Sequence, residues 1–242
     1  MKSVIKSKIK KHVRDYLKSQ VERLGEQRDF SEMIVNPFFI GIMKDQLSIE
    51  TKEKLATALV FEGIIKGLTG SFGARLQKIA GEFTHEPPKE GFHLRIKKNG
   101  KFHNIIVVSG PQHNTSNVEK YRSKMENSRK KFPKEVPVFG ICYGNKKILF
   151  QSFSNNVRTG LKNEKIIIGK EFWEFISGDK DCRNEVLKAI TDEAKRFSES
   201  EDYETIYETL TKTSEGLNDY FTDMYGKNPK KFWENFFRDV YI

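Results

Sequence analysis

The chain has little of what would tie it to an oxidising compartment or to a membrane. Its two cysteines, Cys142 and Cys182, stand far apart without metal-ligand spacing, which leaves no disulfide framework or thiolate zinc site and points to buried thiols in a reducing compartment. No apolar run approaches the ~20 residues needed to span a bilayer. Met1–Lys11 alternates Lys with Ile and lacks the apolar centre of a secretory signal, so the expectation is a cytoplasmic protein with no membrane partner. Repeats, low-complexity tracts and linkers are absent. The sharpest deficiency is local: the 28 residues between Glu90 and Glu119 contain no Asp or Glu, while they carry Arg95, Lys97, Lys98 and Lys101 together with His93, His103 and His113. A divalent ion held there would find only serine, amide, imidazole or backbone ligands, a poor set for Mg²⁺, which takes hard oxygen donors.

What is present suits one α/β (α+β) domain over residues 1–242, with a helical part at 1–81, a sheet core at 91–168 and a second helical part at 169–242. Lys and Arg total 43 against 33 Asp and Glu, a net charge of +10. That excess favours a polyanionic partner such as nucleic acid, although a lysine-rich genomic habit would produce it too.

The centre of the chain predicts a β-hairpin. Phe92, Leu94 and Ile96 alternate with His93, Arg95 and Lys97, Asn99-Gly100 supplies the turn, and Phe102–Val108 returns as an apolar run. A strand apolar on both faces belongs inside a sheet, so function is expected where it stops, in the polar loop Ser109–Asn117. Ahead of the hairpin, the spacing predicts an amphipathic helix over Lys2–Leu24, a short helix opened by Asn36-Pro37, and a longer one capped by Ser48 and running through Leu68. Gly67, Gly70 and Gly73 mark close packing against another backbone or a kink. Behind it come a basic helix over Val118–Phe132, a strand at Val136–Cys142, a returning strand at Lys147–Phe153, a short edge strand or helix approach at Lys165–Ile168, and helices to the end. The aromatic tail Phe232–Tyr241 reads as a buried helix or a subunit contact.

The loop V-S-G-P-Q-H-N-T-S-N, followed by a basic helix, resembles the K-S-G-P-N-x-G-N-S stretch in a branch of type II restriction endonucleases of the PD-(D/E)xK superfamily. Asn36-Pro37-Phe38, the Glu62-bearing helix and Gly169–Gly178 fit the same branch in the same order. The resemblance implies a central mixed sheet flanked by helices, a homodimer on palindromic double-stranded DNA, and Mg²⁺-dependent phosphodiester hydrolysis. The family's acid and its acid-x-lysine then fall on His93, Ile106 and Val108, so the motif is degenerate here.

Candidate residues follow. His93, Glu62 and Ser109 are the catalytic candidates, and Glu62 and Glu90 are the carboxylates that could reach a metal from outside the hairpin, with Glu82 and Glu86 as further sources. Gln112, His113, Asn114, Thr115 and Ser116 form the base-reading loop, since amides bond bidentately to adenine edges, and Lys120 and Arg122 would meet phosphates. Each has a plainer reading: His93 as a solvated or phosphate-contacting side chain, the loop as an ordinary polar turn, the helix as a solvated face, and Ser109-Gly110-Pro111 as geometry in which glycine permits unusual φ. Trp173 and its neighbours read as core. Three functions remain open: a nuclease with a rearranged metal site, a DNA-binding relative without hydrolysis, and metal-free chemistry built on His93.

Overall fold

The structure, a computed structural model, describes residues 1–26, 36–111, 115–145, 147 and 165–240. Its helices are α1 (Ser3–Glu26), α2 (Pro37–Gln46), α3 (Lys52–Gly81), α4 (Thr115–Lys131), α5 (Lys170–Ser177), α6 (Cys182–Ser198), α7 (Ile206–Tyr225) and α8 (Pro229–Val240). The strands are β1 (Leu94–Lys98), β2 (Lys101–Val108), β3 (Val136–Ile141) and β4 (Ile166–Ile168), in one sheet of order β1-β2-β3-β4. This is the expected α/β architecture, a mixed sheet with helical additions. The expected strand Lys147–Phe153 falls, apart from Lys147, outside the described residues.

The hairpin forms as its alternation dictates. Leu94 and Ile96 are buried and Lys97 is exposed, while Asn99 and Gly100 take the positive φ values (50° and 75°) that a two-residue turn requires. β1 pairs antiparallel with β2, and β2 and β3 pair in parallel with their helical crossover through α4. From His103 to Val108 every residue of β2 is buried, as an interior strand demands. β4 extends the parallel set, with Ile141 opposite Ile168. The outer side of β1 is closed by the preceding connection: the Thr84 hydroxyl accepts the Arg95 N–H (3.1 Å), the His85 N–H donates to the Arg95 carbonyl (3.0 Å), and His85 Nδ1 accepts the Lys97 N–H (3.3 Å).

The described residues fall into two compact units, Met1–Asp15 with Gly70–Lys195, and Tyr16–Thr69 with Arg196–Ile242. The first contains the sheet, and α4 packs on it through Met125 against Phe92, Ile106, Val108, Phe139 and Ile141. The second is helical, and its core joins Leu55, Val60 and Ile64 of α3 to Phe221 of α7 and Phe232, Trp233 and Phe236 of α8. Phe232, Trp233 and Phe236 of the aromatic tail are thus buried on a helix, Phe237 is half-buried, and Tyr241 lies outside the described residues. Gly67 of α3 lies against the Arg23 guanidinium, so a Cβ there would come within 2.5 Å of it. The neighbour is the end of a side chain, not the second backbone that these glycines suggested.

Two local expectations are corrected. Ser48 does not cap α3: its φ is +53°, and the helix opens at Lys52, where Thr51 Oγ1 accepts the Lys54 N–H (3.3 Å). Thr51 prevails because it sits immediately before the helical turn whose amides need an acceptor. Second, by length and composition α3 is long and apolar enough to cross a membrane. Its scattered glycines hide that stretch from a search for apolar runs; Leu55, Ala56, Val60, Ile64, Ile79 and Ala80 are buried within the protein, while Phe61 and Ile65 are exposed.

Candidate functional site

The parallel strands β2, β3 and β4 end on the same side of the sheet, the side where open α/β sheets place their ligands. The chain is tightly knitted there. Val108 and Ser109 carbonyls accept the Cys142 and Tyr143 N–H groups (3.0 and 3.2 Å), the Ile141 carbonyl accepts Gly169 N–H (2.9 Å), and Trp173 Nε1 donates to the Cys142 carbonyl (2.9 Å). Gly110 and Pro111 are buried, and Ser109 is half-buried beside α3, where a Cβ on Gly73 would stand 2.9 Å from its Oγ. Glycine at 110 answers a need for room, not for unusual φ: its backbone is outside the left-handed region, and an added Cβ would collide with the Tyr143 phenol. The sequence signal for Tyr143 is the I-C-Y-G run at the end of β3, which hydropathy alone does not single out.

His93 stands just before β1 and extends the ladder in two ways. Its N–H donates to the Ile105 carbonyl (2.9 Å), and its Nδ1 accepts the Val107 N–H (2.8 Å). A ring nitrogen that accepts a backbone N–H carries no proton, so the proton of the neutral ring resides on Nε2. Desolvation, then the nearby Lys124 ammonium, hold its pKa below the ordinary 6.5 even though the residue as a whole is exposed. In this geometry the imidazole offers a hydrogen-bond donor and no spare lone pair. Ile106 and Val108, the other two positions matched to the nuclease motif, are 0% and 2% exposed.

Three of the carboxylates around the hairpin, Glu82, Glu86 and Glu135, are already engaged. Glu82 binds Lys8 and His12 (2.8 Å each), and these contacts keep its pKa below the ordinary carboxylate value against the cost of burial. Glu86 and Glu135 both bind the Arg95 guanidinium (2.5 Å each), Glu135 also accepts from Asn104 (2.6 Å), and Arg95 lies 3.9 Å over the Phe102 ring. This network was missed in the sequence because Glu135 is 40 residues from Arg95 along the chain. Glu90 is exposed ahead of the hairpin. Glu62 belongs to the helical unit and pairs with Lys66 one turn on (2.5 Å). A lysine thus engages that carboxylate. Among the described residues no three of His, Cys, Asp and Glu are grouped as metal ligands.

Of the recognition residues, Gln112, His113 and Asn114 lie outside the described residues, and Thr115 and Ser116 open α4 with side chains that are likewise outside them. Lys120 is exposed, and Arg122 is exposed and paired with Glu126 (3.3 Å). Phe172 and Trp173 are core, as read, whereas Phe175 is half-buried beneath the Lys98 and Lys165 ammoniums (4.5 and 4.7 Å).

A mixed sheet with an antiparallel hairpin, a helical crossover and a ligand-facing strand end is a restriction-endonuclease-like core. The sequence model described as type II restriction endonuclease EcoO109I matches residues 5–198. The chain belongs to that family, and at family level its members cleave DNA in restriction–modification. A search of curated proteins gives no match. The family's chemistry uses divalent metal ions, and the groups at the three hairpin positions do not fit one: Ile106 and Val108 have no donor atom, and the only deprotonated nitrogen of neutral His93 is occupied.

Proposed function

We propose that this protein recognises a palindromic site in double-stranded DNA as a cytoplasmic homodimer, and that its hairpin has lost the metal-dependent hydrolytic centre of its family. One observation carries the reading: an otherwise regular hairpin holds an engaged, neutral imidazole and two buried aliphatic side chains where two carboxylates and an ammonium are needed. Support for DNA binding comes from the net charge of +10 and from the row of lysines on α4, which begins just past the end of β2.

The test is incubation with mixed plasmid DNA in Mg²⁺, Mn²⁺ and EDTA, followed by gel shifts on a randomised duplex library. The expected outcome is a sequence-selected shift that weakens steeply with salt, and intact DNA under all three conditions. Cutting only with metal would refute the loss of hydrolysis, and its disappearance in Glu62→Ala or Glu90→Ala would name the carboxylate supplied from outside the hairpin. Strand damage in EDTA that vanishes in His93→Ala would instead establish metal-free chemistry.

A further inference from the structure

The helix α3 is apolar on two sides, and its own chain covers one. Leu55, Ala56, Val60 and Ile64 face the helical core, whereas Phe61 and Ile65, one position on from Val60 and Ile64, are 54% and 44% exposed. With the half-buried Ala58 and Leu68 they recur at spacings of three, four and three, the seam along which two helices pair. Only 22% of the 18-residue stretch that makes α3 apolar enough for a bilayer is buried. A helix with apolar residues on more than one side is ordinarily covered on more than one side. The arrangement repeats on α2: Ile40 and Met43 enter the same core, while Phe38 and Ile42, a turn apart, are 72% and 60% exposed. Among the described residues eleven large apolar side chains are exposed, and six of them, these four with Phe39 and Leu47, fall between positions 38 and 65. Single exposed apolar residues need no explanation, but such a concentration marks an interaction surface.

Charge decides what covers it. Residues 36–69 carry Lys44, Lys52, Lys54 and Lys66 against Asp45, Glu50, Glu53 and Glu62, a net charge of zero in a chain of +10. On α3 the Glu62 carboxylate and the Lys66 ammonium neutralise each other. Nucleic acid and anionic bilayers select surfaces rich in Lys and Arg, so this one suits neither. A two-fold contact sets a surface against itself, and any net charge on it would repel. A balanced surface lets two copies of a +10 chain meet without that repulsion. The area is also of the right order. Burying these six side chains would remove about 600 Å² from water on each copy, against ~800 Å² per partner in a stable interface, and a polar rim supplies the difference.

We infer that the outer ridges of α2 and α3 dock a second copy of this chain, with Phe61 and Ile65 at the centre of a two-fold contact and Phe38 and Ile42 beside them. The inference rests on the homodimer part of the proposed function and gives that dimer its surface. It requires neither DNA nor metal.

Sedimentation velocity of the full chain without DNA, over a concentration series up to its solubility limit, tests it together with two paired variants, Phe61→Gln with Ile65→Gln and Phe38→Gln with Ile42→Gln. The unaltered chain should sediment as a dimer. The α3 pair should weaken self-association about a hundred-fold or more, because each substitution acts twice across a two-fold contact, and the α2 pair about ten-fold. Leu187→Gln, at an exposed leucine of α6, should change nothing, and melting curves verify that every variant folds. A monomer at all concentrations overturns the inference. So does a dimer that survives both pairs, which would keep the homodimer and move its surface elsewhere. Monomers that instead float with phosphatidylcholine vesicles, and cease to do so in the α3 pair, assign the face to lipid and overturn it too. Gel shifts separate this inference from the DNA reading: a dimer broken by the α3 pair that shifts no duplex refutes DNA recognition and leaves the docking face standing.

Discussion

His93 has its protonation state set by a neighbour's backbone. With Val107 N–H donating to Nδ1, a proton arriving at that nitrogen would have to displace a 2.8 Å hydrogen bond inside the sheet. Because its pKa in the folded chain is lowered, the unfolded chain takes up the proton first as the pH falls. The associated stability is therefore complete above about pH 6.5 and drains away as the pH drops through 6.5 towards the lower folded value. His103, lowered by burial and by Lys165, acts in the same direction. Melting temperature measured from pH 8 to 5 should fall on the acid side, and His93→Gln should flatten that fall. Imidazole nitrogen shifts by NMR should report the Nε2–H form at pH 7. The thiol of Cys142 is out of reach of such titrations, since burial pushes its pKa up to about 12. At this scale the sequence was informative about what is missing, because a count of acids needs no structure. It was silent on who pairs with whom: Lys8 and His12 meet Glu82 from 74 and 70 residues away, and only tertiary folding brings them together.

At the level of elements, local chemistry was most readable where it repeats. Alternation with Asn99-Gly100 specified the hairpin, and the Asn36 cap was foreseen and is built, accepting from the Phe38 and Phe39 amides at 3.1 and 3.2 Å. The Ser48 misreading arose where two cap-forming residues lie three apart and only the helix itself chooses between them. Parallel pairing of β4 was hidden because its partner β3 lies beyond a long intervening stretch and three residues carry no periodicity. The join between β4 and α5 depends on Gly169, which has a φ of +59° and approaches Gly144 so closely that a Cβ would lie 2.5 Å from the Gly144 carbonyl oxygen. Gly169→Ala combines a left-handed backbone with a backbone clash. It should cost about 3 kcal/mol or more in denaturant unfolding, from strain and overpacking together.

For the whole molecule, the +10 charge makes a prediction about partners and none about fold. Duplex affinity should fall by about a thousand-fold or more between 50 and 200 mM salt if six or more phosphates are engaged. Gel shifts across that range would check it, and a flat response would mean that the surplus lysine is solvated surface. The closure of β1 by Thr84 and His85 bears on how two copies can meet. An uncovered strand edge is a template on which another polypeptide can zip up, the first step of fibril growth, and here the outward amides of Arg95 and Lys97 are already spoken for. Hydrogen–deuterium exchange at those two amides should be slow in the isolated chain and should not slow further on self-association. Two protomers crowded onto one symmetric stretch of DNA would then join through side chains, and this flank of the sheet would not seed a continuous ribbon.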